Sequence, residues 1–443
     1  MKKKFLLMLA FFTIAINAQN SAQELKYRRS SLSMILVESE NFPNKDAVMD
    51  SWNNYPFPDK YNKHNVDLKS VNLESMKLSD KEMLDAGFLK DTLKTELQLL
   101  KASVKRVKYL NNEKTLAVVL PDENDAYRLK IDKVIKEKKL ANDLVSTWFN
   151  LSPEGTINFN LISERGSYNA SDLDVKISEG QERGSAAIRD AGKELISNTF
   201  VTFTRLSFTE NEPIARAVRD VAITETATKL AGKPQFLIDK AMQGLEAVYD
   251  KTKEGYSLRS YTWLYQLEWN DTIFTKFSRD YKELKGKAFK KADYFNLKFV
   301  NFQSNLSLVT FKLGETRTQE QIIDLALVRN VDNAFAKLQK ENDVFKPKVP
   351  ALTSKPVTAQ IGMKEGLEGG EKFEVLELSQ DKDGLTVYKK VGTVKVDKKQ
   401  IWDNRYNAGG KTETEQLDKQ GNPVNSTLFS GKVPFGALLK QVK

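Results

Sequence analysis

Apolar positions along this chain recur with several periods, and each period predicts a different element. Leu89, Leu93, Leu97, Leu100, Val104 and Val107 follow at spacings of three and four, one stripe of a helix of about twenty residues. Met34-Ile35-Leu36-Val37 and Leu116 to Leu120 are short apolar runs that predict buried strands, the second stopped by Pro121. Leu129 to Leu144 predicts a Lys-rich helix with Ile131, Val134 and Ile135 inward, and the alternation from Thr156 to Ile162 predicts a strand. Ser185 stands where it would cap a helix through Ile188, Ala191, Leu195 and Ile196, which leads into a β-branched and aromatic strand at Phe200 to Phe208. Two further helices are predicted from Pro213 to Leu230 and from Pro234 to Tyr249, with proline near each start. Ser257 to Trp269 reads as the longest strand and Asn270-Asp271 as a turn. Phe295 to Phe302 and Leu306 to Leu313 read as a hairpin around Ser304-Asn305. The capping box Thr318-Gln319-Glu320-Gln321 opens a helix whose stripe is Ile323, Leu327, Val331, Phe335 and Leu338.

The texture changes after Phe345. Pro347, Pro350 and Pro356 interrupt regular structure, and residues 362–443 hold eleven of the chain's twenty-two glycines. Phe373 to Leu378 and Leu385 to Val391 flank Asp381-Lys382-Asp383-Gly384, a hairpin signal, and Thr393 to Val396 adds a strand. A closed barrel solves the edge problem of so few short strands. The expected fold class is therefore α+β: a mixed helix and sheet main region followed by a small C-terminal barrel. The expected divisions are a signal peptide at 1–18, an N-terminal region 19–155, a central region 156–345, a proline-rich linker 346–356 and the barrel at 357–443.

The signal peptide is read from Lys2, Lys3 and Lys4, the apolar run Phe5 to Ile16, and a small residue, Ala18, before the expected cut. The run is too short for a spanning helix. With no cysteine, neither acylation at the cut nor any disulfide is available. An exported protein of the periplasm or cell surface is expected. Its formal charge, +10 for the whole chain, drops to +7 once three signal lysines leave. That surplus is spread along the chain, so it permits peripheral membrane association but predicts no nucleic-acid partner.

The run Ile361-Gly362-Met363-Lys364-Glu365-Gly366-Leu367, followed by Gly370-Glu371-Lys372-Phe373-Glu374-Val375, resembles the SH3-like barrels appended to bacterial envelope-assembly proteins. The passage Ala191 to Phe208 resembles modules that accompany such barrels in flagellar and curli-type accessory proteins. With Arg29-Ser30-Ser31-Leu32 and Ile401-Trp402-Asp403-Asn404-Arg405-Tyr406, the chain is similar to an uncharacterised exported family of Gram-negative bacteria. The resemblance implies interaction with an envelope protein or a cell-wall glycan more than a reaction.

Little catalytic chemistry is offered. His64 is the only histidine, in the polar stretch Lys60 to Asn65, and there is no Gly-x-Ser-x-Gly, phosphate loop or dinucleotide fingerprint. Histidine- or thiolate-based metal sites fail on residue count, and Asp381-Lys382-Asp383-Gly384 lacks the later ligands of a calcium loop. No cofactor is expected. The two Glu-Arg-Gly-Ser copies, Glu164–Ser167 and Glu182–Ser185, read as coincidence plus helix capping. A carboxylate pair, Glu268 and Asp271 beside Trp269, is the best glycosidase candidate. The sharper candidate is the aromatic strand. Tyr261, Trp263, Tyr265 and Trp269 share one face, which is a glycan- or peptide-binding platform if exposed and a core wall against the Ile323–Leu338 helix if buried. The expected function is a non-enzymatic envelope protein that binds a partner, with a glycan-binding or carbohydrate-active protein as the alternative.

Overall fold

The computed structural model describes residues 30–63, 66–79, 82, 107–110, 115–118, 123–162, 192–309, 318–382, 386–405, 416–434 and 436–442. The signal segment 1–18, His64, the stripe at 89–104, both Glu-Arg-Gly-Ser copies, the Ser185 cap and Asp383-Gly384 lie outside these residues.

In chain order, β1 (Ser31–Glu38) is followed by α1 (Lys45–Asn53), β2 (Asn62–Lys63), β3 (Ser70–Asn72), β4 (Val107–Leu110) and β5 (Thr115–Val118). Then come α2 (Glu123–Glu137), α3 (Leu140–Trp148), β6 (Thr199–Glu210), α4 (Asn211–Lys229), α5 (Gln235–Thr252) and β7 (Tyr256–Leu267). The body ends with α6 (Asp271–Leu284), α7 (Lys287–Lys291), β8 (Leu297–Val309) and α8 (Gln319–Glu341). Strands β9 (Lys348–Ser354), β10 (Val357–Ala359), β11 (Lys372–Gln380), β12 (Thr386–Val396), β13 (Thr427–Ser430) and β14 (Leu438–Gln441) complete the chain.

The class is α+β. One mixed sheet runs β2-β1-β6-β7-β8, with β3 on the same edge of β1 as β2. β1 lies parallel to β6 from Ser31 opposite Thr199 to Val37 opposite Arg205, while β6, β7 and β8 are antiparallel neighbours. No break falls at 155/156, because strands from both sides of that expected division share this sheet. Side chains alternate between two covered faces, as the pleat requires. Leu32 and Leu36 of β1, Phe200 and Leu206 of β6, and Leu258 and Leu264 of β7 pack with α1 and α8. Ile35, Val37, Val201, Phe203, Trp263 and Tyr265 pack with Ile131, Val134, Ile135, Leu140 and Leu144 of α2 and α3.

Helix α8 is the pivot. Its capping box is formed, the Thr318 side chain accepting from Gln321 and Gln321 reaching back to Thr318. The predicted stripe is buried, but so are Ile322, Leu325, Ala326, Val328 and Ala334. A helix apolar on most sides has neighbours on most sides. The sheet and α1 take one flank, and the 3-10 turn Met363–Glu365 of the barrel takes another.

The C-terminal sheet closes as β10-β13-β12-β11-β14-β9 around Val349, Ile361, Phe373, Val375, Val394, Phe429 and Leu439. Here the expected boundaries need correction. Segment 346–356 is not a free linker, because Lys348–Ser354 is a barrel strand paired with β10 and β14. Proline is tolerated there because Pro350 stands among positions whose remaining backbone groups still make the ladder.

Five local expectations fail. Strand β8 is continuous through Ser304-Asn305, not a hairpin. Lys337 Nζ donates to Asn305 Oδ1 at 2.9 Å and Asn330 Nδ2 to the Asn305 carbonyl at 3.5 Å, so α8 satisfies polar groups that would otherwise favour a turn. Asn270-Asp271 opens α6, with Asn270 Oδ1 accepting from the Ile273 amide at 2.9 Å. Residues 156–160 are loop and turn and 161–162 are helical, so no strand forms, and Phe159 inserts among Phe149, Phe274, Phe277 and Tyr281. The Leu129–Leu144 helix is two helices broken at Lys139, which has φ 52°. Val107, read as the end of a helical stripe, starts β4.

Gly362 shows why glycine is required beside α8. A Cβ there would sit 2.2 Å from the Trp402 carbonyl oxygen and 2.5 Å from Asn404 Oδ1. Gly362→Ala is expected to cost about 1–3 kcal/mol by overpacking, read as a lower urea midpoint for the barrel signal. An unchanged midpoint would mean that this close approach is not a tight fit in solution.

Candidate functional site

The aromatic strand is not an open platform. Trp263 and Tyr265 are each 1% exposed, and Tyr261 and Trp269 are half-buried. The face they share is core, but its cover is α2, not the Ile323–Leu338 helix. Trp263 lies 6.1 Å from Tyr127 and 5.2 Å from Phe302, while Tyr261 stacks on Phe302 under the Arg205 guanidinium. Trp269 leaves that face altogether. It belongs to a separate cluster with Phe149, Phe274, Phe277 and Phe295.

A cleft lies beyond the end of this face, between α2 and α3 on one side and residues 292–299 on the other. Its volume is about 440 Å³, and Asp132, Lys136, Lys139, Asn142, Asp293 and Phe299 are among its lining residues. None of the four predicted ring residues lines it, and Tyr265 is tied to it only through the lining residue Asp132. Its hydroxyl donates to Asp132 Oδ1 at 2.7 Å, while Arg128 holds Oδ2 at 3.0 Å. Burial pushes the Asp132 carboxyl up, against the Tyr265 hydrogen bond and the Arg128 charge that hold it down. Burial, and then the Asp132 charge, pushes the Tyr265 phenol up as well. Asn142 spends its amide on the Phe289 and Ala292 carbonyls at 2.6 and 3.1 Å. Both oxygens of Asp132 are thus engaged, and the described lining contains no hydroxyl, thiol or imidazole. Such a cleft can hold a ligand.

The proposed carboxylate pair does not form a site. Asp271 is 85% exposed and pairs with Lys193 at 3.2 Å, and Glu268 is exposed; neither lines the cleft. Among the described residues no group of three or more His, Cys, Asp or Glu side chains is arranged to hold a metal ion. No described helix is long and apolar enough to cross a membrane.

Two features outside the sequence-derived candidates stand out. One is a two-helix arm, α4 and α5, inserted between β6 and β7. It is rooted by Asn211, whose amide group donates to the Glu254 carbonyl at 2.9 Å and whose Oδ1 accepts from Ser257 at 2.8 Å. Only Asn211 and Ala215 of α4 are buried, and no residue of α5 is. Ile214, Val218 and Val221 are 48%, 63% and 60% exposed, with Phe236, Leu237 and Val248 exposed on the second helix. The helices themselves were legible in sequence. Their lack of cover was not, since a stripe shows which face is apolar but not whether anything packs on it.

The other feature joins barrel to body. Tyr55 Oη donates to Asp332 Oδ1 at 2.5 Å, and Lys364 Nζ lies 3.6 Å from the same oxygen. Asn404 receives the Lys364 amide at 2.8 Å and donates to Glu365 Oε2 at 2.9 Å. The motif 361–367 and the described part of the second one, 401–405, thus meet here against α8. A scan of protein-family models finds no match to this chain, and a search of curated proteins finds none either.

Proposed function

We propose that this protein is an exported, non-enzymatic binding protein of the cell envelope that engages a protein partner through the α4–α5 arm. The observation that carries the proposal is the arm's exposed apolar surface. The stripe Ile214–Val218–Val221, spaced four and three, runs along a helix of about 28 Å at ~1.5 Å per residue. Such a stripe fits the groove of another amphipathic helix. Charge supports a protein partner over an anionic membrane or nucleic acid. Residues 211–252 hold six basic and six acidic side chains, many paired along the helices, as in Glu212–Arg216 at 2.6 Å and Glu225–Lys229 at 3.1 Å. The tripartite pattern at 1–18 supports export.

The register supplies a clean test. Glu210 and Tyr256 are already cross-strand partners, so residues 211–255 can be replaced by an Asn-Gly turn that closes β6 and β7 as a hairpin. The armless chain is expected to keep its unfolding midpoint within a few degrees while losing a protein that the parent retains, after cross-linking, from the native envelope fraction. Val218→Glu is expected to weaken the same capture at least tenfold. If the parent is a dimer by light scattering and the armless chain a monomer, the partner is a second copy. Equal capture by both chains, or no specific capture by either with both monomeric, overturns the proposal.

A further inference from the structure

Below the barrel, where α8 ends and β9 begins, a small polar cavity of about 170 Å³ is walled by both parts of the molecule. Lys60 and Lys346 enter it from the body, Lys348 and Lys440 from the barrel, with Glu194 and Asp343 as its lining acids. Two features make this arrangement costly without a further negative charge. Lys348 and Lys440 are direct cross-strand partners of β9 and β14, and like charges placed opposite one another destabilise a strand pair. The Lys346 side chain is 2% exposed, and a buried ammonium must be well paired to offset its lost hydration.

The acids are thinly shared. Asp343 lies 2.8 Å from Lys346 and 4.0 Å from Lys440, but its own side chain is 70% exposed and so screened by water. Glu194 is taken by Lys348 at 2.5 Å, and Lys60 turns to Asp59 at 2.6 Å, outside the lining. Among the described residues, and counting Asp59, four ammonium groups meet three carboxylates. The cavity is too small for a nucleotide or a disaccharide, and lysines act as adaptable point charges toward tetrahedral oxyanions. Ser30 and Asn198 add polar lining.

We propose that this junction is a binding site for a phosphate-class oxyanion, either free phosphate or the terminal phosphate of a small ester, which bridges barrel to body. The surplus positive charge faces one cavity from two sides, so an anion bound there ties strands β9 and β14 to the end of α8. The site is independent of the arm and of the partner it engages.

The test uses the full chain, titrated calorimetrically with inorganic phosphate and separately with glycerol 3-phosphate, each against chloride at matched ionic strength. Saturable binding is expected, together with a rise in unfolding midpoint. The partly exposed Lys440 is the informative position. Lys440→Gln is expected to weaken binding at least tenfold, while the ligand-free variant unfolds no earlier than the parent because a like-charge pair is relieved. Binding of phosphate identifies the free ion as sufficient, and binding of the ester alone identifies a group-borne phosphate. Absence of saturable binding by either probe, or binding unchanged in Lys440→Gln, overturns the proposal.

Discussion

Trp263→Ala is expected to lower the free energy of unfolding by about 3–5 kcal/mol, the range for large-to-small aromatic replacement in a packed core. The ring is 1% exposed and contacts Tyr127 and Phe302, in the cluster that joins β7 to α2. Close packing leaves α2 no means of collapsing onto a smaller side chain without disturbing Ile131 and Val134, so a cavity remains. Tyr261→Ala should cost less, because that ring is half-buried and its loss opens the surface. Urea unfolding of both variants provides the measurement. If Trp263→Ala left the midpoint unchanged but removed binding to a glycan array, the strand would be a platform after all.

The second large effect is expected at the junction of barrel and body. Asp332 is 4% exposed, accepts the Tyr55 hydroxyl and faces Lys364, and its Oδ2 has no hydrogen-bond partner among the described residues. Asp332→Ala would leave the Tyr55 hydroxyl and the Lys364 ammonium without their acceptor, a loss of about 3–5 kcal/mol for breaking one side of a buried pair. Asp332→Asn keeps an acceptor for Tyr55 and should cost less. The pH dependence has a definite sign. Burial raises the Asp332 carboxyl, Glu365 adds to the rise, and Lys364 and the Tyr55 hydrogen bond oppose it. An acid whose folded pKa is raised contributes stability that is fully present below its unfolded pKa and is lost as pH rises through the folded one. The parent therefore loses stability from this group as pH rises above about 4. Its advantage over both variants should narrow in the same interval, measured by urea unfolding between pH 4 and 7. An advantage that instead widens with pH would mean that attraction to Lys364 outweighs desolvation.

Several local readings were reliable because their causes are local. The Thr318–Gln321 capping box, the starts of α4 and α5 near Pro213 and Pro234, and the β-branched strand at 199–210 all follow from residues within one turn or one pleat. The glycine-rich texture after residue 362 likewise announced short strands that close on themselves. Helix α6 went unread, although Phe274, Phe277 and Tyr281 recur at helical spacing, because Asn270-Asp271 was read as a turn when it is the cap. A side chain that accepts from the backbone two or three residues on serves a turn and a helix start equally well.

What sequence alone determined was the type of most elements and which face of each is apolar, because periodicity and capping act through neighbours in the chain. What covers each face was decided only in three dimensions. Trp263 faces α2 and Leu264 faces α8, though no pattern along the chain distinguishes those two covers. Ser304-Asn305 stays in a strand because Asn330 and Lys337, far along the chain, satisfy the polar groups there. The proline-marked segment becomes strand β9 because β10 and β14 offer it a ladder on both sides. The arm's apolar stripe, the cleft beside Asp132 and the lysine-walled junction all depend on which distant surfaces meet or fail to meet. Burial and pairing energies are set by those meetings, and a linear order of residues does not contain them.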